Sequence, residues 1–594
     1  MKHRLALFAA LLAPLAAFCA APTTAEPRPQ PNVVVILADD QGYGDLSCHG
    51  NPVLKTPNLD RLHDQSVRLT DFHVAPVCTP TRSQIMTGRD SLANGAYCIC
   101  SGHEFIRQGV PTMADAFAAS GYRTGLFGKW HLGDNYPYRP QDRGFQEVVT
   151  FGGWGLVSTS AHWDTEYMNP WVIHNGRIRR AAGYCNDVFF NEAMRWMKER
   201  AGRREPFFLY LPTNIPHGPM QVPERYTGPY ARLNKTTAAF FGMIASLDEN
   251  IGRFLAFLKD TELEDNTIVI FMTDNGGTLG VEVYNAGMKG SKASYYDGGH
   301  RVPCFVRWPA GGLRGPGDVE TPAQAQDLLP TLIDLCGLAR PRDAFFDGTS
   351  LAPCLRGRAQ PELAKRMFVV QCALWDEYEG ANKWAAAVVW DKWRLVKGHE
   401  LYDLRRDPGQ EKDLAAQHPG VVANMRAHYE QWWSKVEPLA RDFNPIHLGS
   451  EHEPVTALNC HNWVAPNSSN QPWIRSGIAR NGPWHVLVER SGEYEIALRR
   501  WPVEADLPIT AGAPGYHGQL ASYPAGKALP IDSARLQVAG ITETRAVAPG
   551  DTAVVFRVKL PAGRTTLQTW FSDTGGTELC GAYYVYVKRG AVAP

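Results

Sequence analysis

Two short runs with no charged residue, Asn32–Ala38 (NVVVILA) and Thr267–Met272 (TIVIFM), constrain the fold of this chain more than any other feature. Runs of that length, rich in β-branched residues and apolar throughout, read as strands buried on both faces, the kind found in parallel sheets covered by helices. Phe207–Leu211 (FFLYL) and Arg123–Phe127 (RTGLF) are weaker runs of the same type. Ile244, Leu247, Ile251, Phe254, Leu255 and Leu258 fall at helical spacing, so residues 236–259 are expected to form an amphipathic helix packed on the sheet. From about Pro31 to Gly337 the alternation predicts an α/β domain with a mostly parallel sheet flanked by helices. Asp39-Asp40, Lys129-Trp130-His131, His217 and Asp274-Asn275 each come just after one of these strand ends. Sites in open parallel sheets form beyond the carboxyl ends of the strands. Four strand ends therefore deliver carboxylates, an amide, histidines and a lysine to one edge, which core packing does not require.

At 594 residues the chain exceeds what one hydrophobic core supports. Its character changes after residue 340, where Glu400–Pro408 reads as a strand and turn and Pro419–Val436 as a closing helix. From about Phe443 the chain is loop-rich, with β-segments at Glu493–Trp501, Thr552–Leu560, Thr565–Phe571 and Ala582–Lys588. The expected organisation is a signal peptide over 1–25, a catalytic α/β domain over 26–340, a small α+β subdomain over 341–442 and an appended β-sandwich over 443–594. The first of these rests on Met-Lys-His-Arg, an apolar run from Leu5 to about Ala17, and small residues around Cys19–Ala25. It predicts export to the periplasm or the medium. Lipid attachment at Cys19 is the alternative, disfavoured by the bulky Phe18 before it. No later stretch is long and apolar enough to be a membrane helix.

Lys+Arg and Asp+Glu are both 60, so the formal net charge is zero, nothing suggests a general polyanion-binding surface, and no nucleic-acid partner is expected. Any preference for anions must be local. The 12 cysteines are irregularly spaced, with Cys98 and Cys100 the close pair, so disulfide connectivity is not readable and most are expected to be buried filler. Cys78 stands apart. It opens Cys78-Thr-Pro-Thr-Arg-Ser-Gln-Ile-Met-Thr-Gly-Arg89, in which Pro80 is tolerated in a helix's first turn and Gly88 suits its end. Cys78 is therefore expected at a helix N-terminus, where unsatisfied N–H groups and the positive end of the dipole favour an anion. Arg82, four residues on, shares its helical face. An isolated cysteine in such a place would ordinarily be structural.

The run Cys-x-Pro-Thr-Arg followed by Met-Thr-Gly-Arg resembles the signature of the type I sulfatases, members of the alkaline phosphatase superfamily, and residues 31 to about 440 follow that family's order. The resemblance implies an alkaline phosphatase-like fold and a sulfuric ester hydrolase acting on sulfated carbohydrates or aryl sulfates. It implies that Cys78 is oxidised to Cα-formylglycine during export, by a formylglycine-generating enzyme or an anaerobic sulfatase-maturating enzyme. It carries the metal ligands onto Asp39, Asp40, Asp274 and Asn275, with the modified Cys78 completing the set. Carboxylates and an amide oxygen form a hard site suited to Ca²⁺, with Mg²⁺ the alternative. Lys129 and His131 in Gly-Lys-Trp-His-Leu-Gly, His217 in Ile-Pro-His-Gly-Pro, and Lys292 in Lys-Gly-Ser-Lys before Asp297-Gly-Gly-His-Arg-Val-Pro303 match further family positions.

The mechanism implied has one hydroxyl of the hydrated aldehyde attacking sulfur, with Asp274 as base, and a sulfoenzyme intermediate. Arg82, Lys129 and Lys292 would offset charge on the sulfuryl oxygens, His217 would protonate the leaving alcohol, and His131 would assist expulsion of sulfate. Met288-Lys289 and His300 depart from the commoner family pattern, leaving Lys289 and His300 as candidate substrate-facing residues. Trp154 and Trp163 lie in an aromatic, polar segment (WGLVSTSAHWDTEYMNPW) expected to stack on sugar rings. The competing readings are a phosphodiesterase or phosphonate hydrolase of the same superfamily, and a silent glycan-binding protein in which Cys78 stays a thiol.

Overall fold

A computed structural model describes residues 30–590, apart from residues 343 and 376. The expected signal peptide lies outside the described residues. The centre is a ten-stranded sheet whose five middle strands, Thr267–Thr273, Asn32–Ala38, Phe207–Pro212, Arg123–Phe127 and Glu147–Thr150, run parallel in that order. Cys304–Arg307 pairs antiparallel on one side of this block and Trp171–His174 on the other. Both expected buried-strand runs are central, side by side, with Val33 opposite Ile268 and Ala38 opposite Thr273.

Successive side chains of the Asn32–Ala38 strand point to opposite faces. Val33, Val35 and Leu37 enter one apolar cluster, with Ile85, Met113 and Leu332 from helices on that side. Val34, Ile36 and Ala38 enter another, with Phe189, Leu247 and Phe254 from helices on the opposite side. The strand is apolar at every position because both faces are covered. The long helix spans Lys235–Asp260, and its first turn is capped by Asn234, whose side chain accepts from the Thr237 N–H at 2.9 Å.

Beyond the sheet, Met367–Gln371, Ala386–Trp390, Trp393–Val396 and Glu400–Asp403 form a four-stranded antiparallel sheet. The helix packed on it, through Met425 and Tyr429, covers Pro419–Ala440. It runs past the expected end at Val436 because Pro438 falls in the last turn, where little helix remains to be broken. The C-terminal part is a sandwich. One sheet includes Trp484–Val488, Gly563–Ser572 and Ser533–Val538, the other Tyr584–Arg589, Gly492–Arg499 and Val554–Leu560, and their inner faces share a single core.

No helix among the described residues is long and apolar enough to cross a membrane. All eleven cysteines among the described residues are unpaired, and all but Cys48 are buried.

Candidate active site

Asp39 and Asp40 follow the Asn32–Ala38 strand directly, and Asp274 and Asn275 follow its parallel neighbour, so in-register pairing sets the four side by side. The turn is tight: the Asp40 N–H donates to Asp274 Oδ1 at 3.2 Å, and Asp40 takes a left-handed φ of 71°. Such a conformation in a non-glycine residue is strained and is retained where the surroundings enforce it. Gly276 is required next, because a Cβ there would meet the Gly298 carbonyl oxygen at 1.9 Å.

Cys78 is the first residue of the Cys78–Thr87 helix, which ends in left-handed Gly88. The entire helix is buried, including Arg82, whose Nη2 lies 2.7 Å from Asp274 Oδ2 and whose Nη1 donates to the Lys129 carbonyl at 2.8 Å. Lys129 Nζ lies 2.7 Å from Asp39 Oδ2, and Lys292 Nζ 2.5 Å from Asp40 Oδ1. Three carboxylates thus face three fixed cations. The sequence placed Arg82 and Lys129 against a bound anion; here both are fully buried with their charges committed to Asp274 and Asp39.

Two histidines flank Cys78. His131 Nε2 lies 2.9 Å from the Ile99 carbonyl, which can only accept, so Nε2 carries the proton and the Nδ1 lone pair faces Cys78 Sγ at 3.4 Å. Burial, reinforced by Lys129, holds its pKa well below the ordinary histidine range. His217 Nδ1 donates to the Gly218 carbonyl at 2.8 Å, which leaves Nε2 toward Asp40 Oδ2 at 3.7 Å. Burial lowers its pKa also, against the pull of Asp40 and Asp39. Burial raises the Cys78 thiol, while Lys129 and Lys292 draw it down. Burial also pushes the Asp39 carboxyl up, but Lys129, His217, Arg82 and Lys292 together bring it well below the usual carboxylate range. Burial and the like charge of Asp39 push Asp274 up to about 7 against Arg82.

Two oxygens in this set are left over. Asp39 Oδ1 and Asn275 Oδ1 are buried with no hydrogen-bond partner, the Asn275 amide having turned its Nδ2 to Asp40 Oδ1 at 2.9 Å. Unsatisfied buried acceptors are rare and call for a partner. Ligating atoms of Asp39, Cys78 and Asp274 lie within 4.8 Å of one another, as do those of Asp39, Asp40 and His217. An oxygen-rich donor set with two unused acceptors fits a hard divalent cation.

Cys78, His131, His217 and Lys292 open into a cavity of about 760 Å³. Trp154 lines it, its Nε1 donating to Ser469 at 3.1 Å. Three other expected substrate contacts are corrected. Trp163 is 5% exposed and stands edge-on to Trp501 of the sandwich with Arg475 over its ring, because its bulk completes that core instead. His300 is fully buried, 2.9 Å from His73 Nδ1 and near Asp297, itself held by Arg394 at 3.0 Å; it belongs to a packed polar network. Lys289 turns away from the cavity, its Nζ over the Tyr296 ring at 4.1 Å and 3.2 Å from the Gln410 carbonyl. Sequence reasoning missed Trp375, Asn467, Trp473 and Arg480 as cavity residues, since they come from parts of the chain with no catalytic or ligand-binding motif to mark them.

A buried carboxylate cluster at the carboxyl edge of a parallel sheet, facing a nucleophile-bearing helix N-terminus, defines a hydrolase acting on anionic esters. A sulfatase family model matches residues 31–338, more than half of the chain. Human N-acetylgalactosamine-6-sulfatase is 28% identical over 508 residues, covering 77% of this chain and 92% of the relative. Human arylsulfatase A is 29% identical over 498 residues, covering 73% and 94%. Among solved structures, Ps i-CgsB, also determined in complex with k-i-k-neocarrahexaose, matches at a TM-score of 0.61 with 26% identity, covering 68% of this chain and 92% of that one. The chain belongs to the type I sulfatase family and is a sulfuric ester hydrolase with the alkaline phosphatase-like fold.

Proposed function

We propose that this enzyme removes sulfate from a sulfated saccharide after export, with residue 78 acting as Cα-formylglycine and Ca²⁺ held by Asp39, Asp40, Asp274 and Asn275. The observation that carries the reading is the pair of unpartnered oxygens, Asp39 Oδ1 and Asn275 Oδ1, among three buried carboxylates beside the helix that begins at Cys78. When bound, the cation would polarise a sulfuryl oxygen and acidify a hydroxyl at position 78. The hydrated aldehyde would supply two geminal hydroxyls, one to attack sulfur and one to let sulfate leave, which a serine could not do.

The remaining chemistry falls to the chain's own groups. Arg82 and Lys129 orient Asp274 and Asp39, and their charges help keep Asp39 ionised. Lys292, which reaches both Asp40 and the cavity, offsets charge on the sulfate. His217 presents Nε2 to the cavity side of Asp40, and in its imidazolium form, which Asp40 and Asp39 favour, would give the Nε2 proton to the leaving alcohol. His131 keeps an unprotonated Nδ1 against position 78, placed to take the proton of the second hydroxyl.

The saccharide part of the reading is supported by the tryptophan-lined cavity, by a relative named for N-acetylgalactosamine 6-sulfate and by a structural neighbour solved in complex with k-i-k-neocarrahexaose. It is tested by mass analysis of the peptide spanning residues 72–89 from active enzyme, and by screening desulfation of defined sulfated saccharides beside matched aryl sulfate and phosphate esters. An aldehyde at 78 with release of sulfate from a saccharide is expected. An intact thiol in fully active enzyme, or a preference for the phosphate esters, refutes it.

A further inference from the structure

The chain contains 17 tryptophans, and the two that remain exposed, Trp375 at 42% and Trp473 at 37%, line the cavity above Cys78. An indole left in water is held for a partner more often than by chance when it sits in a concave site. These two rings belong to different parts of the chain. Trp375 follows the Met367–Gln371 strand of the four-stranded sheet, and Trp473 lies in the short Gln471–Ser476 helix of the sandwich region. Trp154, from the sheet's own loops, provides a third indole in the same cavity. Both exposed rings fall beyond residue 338, where the family match ends.

The sandwich segment is built to hold this position. Gln471 Nε2 donates to the Ser158 carbonyl at 3.0 Å, Thr159 N–H donates to the Ser469 carbonyl at 2.9 Å, and Trp154 Nε1 donates to Ser469. Arg480 donates to the Asn467 carbonyl and lies over the Trp473 ring at 5.4 Å, fixing both residues that it bridges. Asn467 Oδ1 is taken by the Ser469 N–H at 3.0 Å and the Ser469 hydroxyl at 2.6 Å, so Nδ2 is the group it has left to donate. A rigid amide donor beside apolar ring faces is the chemistry that recognises a pyranose, with its apolar face and hydroxyl rim.

We propose that the segment 465–480 of the appended sandwich is the saccharide-binding wall of this active site. Trp473 and Trp375 stack on sugar rings next to the sulfated one, Asn467 donates to their hydroxyls, and the enzyme therefore acts on an oligosaccharide. This rests on the sulfated-saccharide reading above and names the residues that set its specificity. The volume, about 760 Å³, is near the upper end of the roughly 300–1,000 Å³ of small-molecule sites, room for more than a single sulfated ring.

Isothermal titration tests it with probes that carry no sulfate ester: unsulfated tetrasaccharides of the galactan, chondroitin and heparosan types, with inorganic sulfate titrated separately. At least one tetrasaccharide should bind the full-length enzyme. Trp473→Ala and Trp375→Ala should each weaken that binding about tenfold, Trp473→Phe should stay within about twofold, and the sulfate affinity should not change in any variant. The proposal is overturned if no tetrasaccharide binds, if Trp473→Ala binds as tightly as the parent, or if sulfate affinity falls in parallel. Because the probes are not substrates for desulfation, the outcome does not depend on whether the chain desulfates saccharides.

Discussion

Replacing His131 by asparagine isolates the second half of the reaction. His131 holds a left-handed φ of 58°, a conformation asparagine adopts readily, whereas alanine would add backbone strain of about 1–2 kcal/mol. The substitution therefore removes one function and leaves the turn. That function is an unprotonated Nδ1 3.4 Å from Cys78 Sγ, oriented by the Nε2 hydrogen bond to Ile99. A positioned base contributes about 10²–10⁴ in rate, or roughly 3–5 kcal/mol of barrier. If His131 serves only the release of sulfate, attack on sulfur proceeds at its former rate and the sulfuryl group accumulates on residue 78. Rapid-quench assay with a chromogenic aryl sulfate should show a burst of one phenolate per enzyme, then turnover slowed by about 10²–10³. The peptide spanning 72–89 should carry the added sulfuryl mass. Burial keeps His131 neutral, so the parent's release step should not weaken until the pH falls well below the ordinary histidine range. Slow turnover with neither burst nor adduct would refute this division of labour, because His131 would then act at the first transfer.

Three further perturbations probe different parts of the molecule. Chelation should abolish turnover and lower the melting temperature, since a cation at about 100 times its Kd adds about 2.7 kcal/mol; an unchanged melting curve would remove the cation from Asp39, Asp40, Asp274 and Asn275. Glu104 is buried, with one oxygen unpartnered, and burial raises its pKa to about 8. From pH 4.5 to 8 the unfolded chain has shed a proton the folded chain keeps, so this group lowers stability as pH rises, by roughly 1.4 kcal/mol per pH unit. Glu104→Gln should then raise the melting temperature at pH 8 and leave it unchanged at pH 4; equal effects at both would contradict the assignment. Trp163→Ala should destabilise by about 3–5 kcal/mol in urea titration with kcat retained, and lost activity at parental stability would return Trp163 to the substrate site.

The parallel centre was legible because its strands are buried on both faces, and that condition leaves a run such as Asn32–Ala38 with nothing polar in its middle. The strand-end rule then located Asp39, Asp40, Asp274 and Asn275, since residues that leave adjacent in-register strands emerge together whatever the intervening sequence. Gly128 shows the limit of such reading. A Cβ there would meet the Pro212 carbonyl oxygen at 2.0 Å, so the loop carrying Lys129 and His131 depends on a contact that no local pattern displays. Lys289, His300 and Trp163 failed for a related reason: a lysine, a histidine and a tryptophan in a loop look alike whether they face a ligand or another part of the protein. For Trp163 the partner, Trp501, is more than three hundred residues away in sequence. Trp473 was hidden in the same way.

The charges of the site explain why the two ends of the cavity use different chemistry. The chain as a whole carries no net formal charge, so nothing at long range draws an anion to it. Within the site Asp39, Asp40 and Asp274 are opposed by Lys129, Lys292 and Arg82, a set that is again neutral. A divalent cation at Asp39 Oδ1 and Asn275 Oδ1 would leave that set with two positive charges in a buried place, where attraction for an anion is strong. Sulfate ester binding would thereby be coupled to occupancy by the cation. The far end, with Trp375, Trp473 and Asn467, has one formal charge, that of Arg480, whose guanidinium is turned onto Trp473 and the Asn467 backbone. Ring faces and amide donors respond to the shape and hydroxyl pattern of a sugar and are little affected by salt. Added salt should therefore weaken capture of the sulfate end while leaving saccharide discrimination intact.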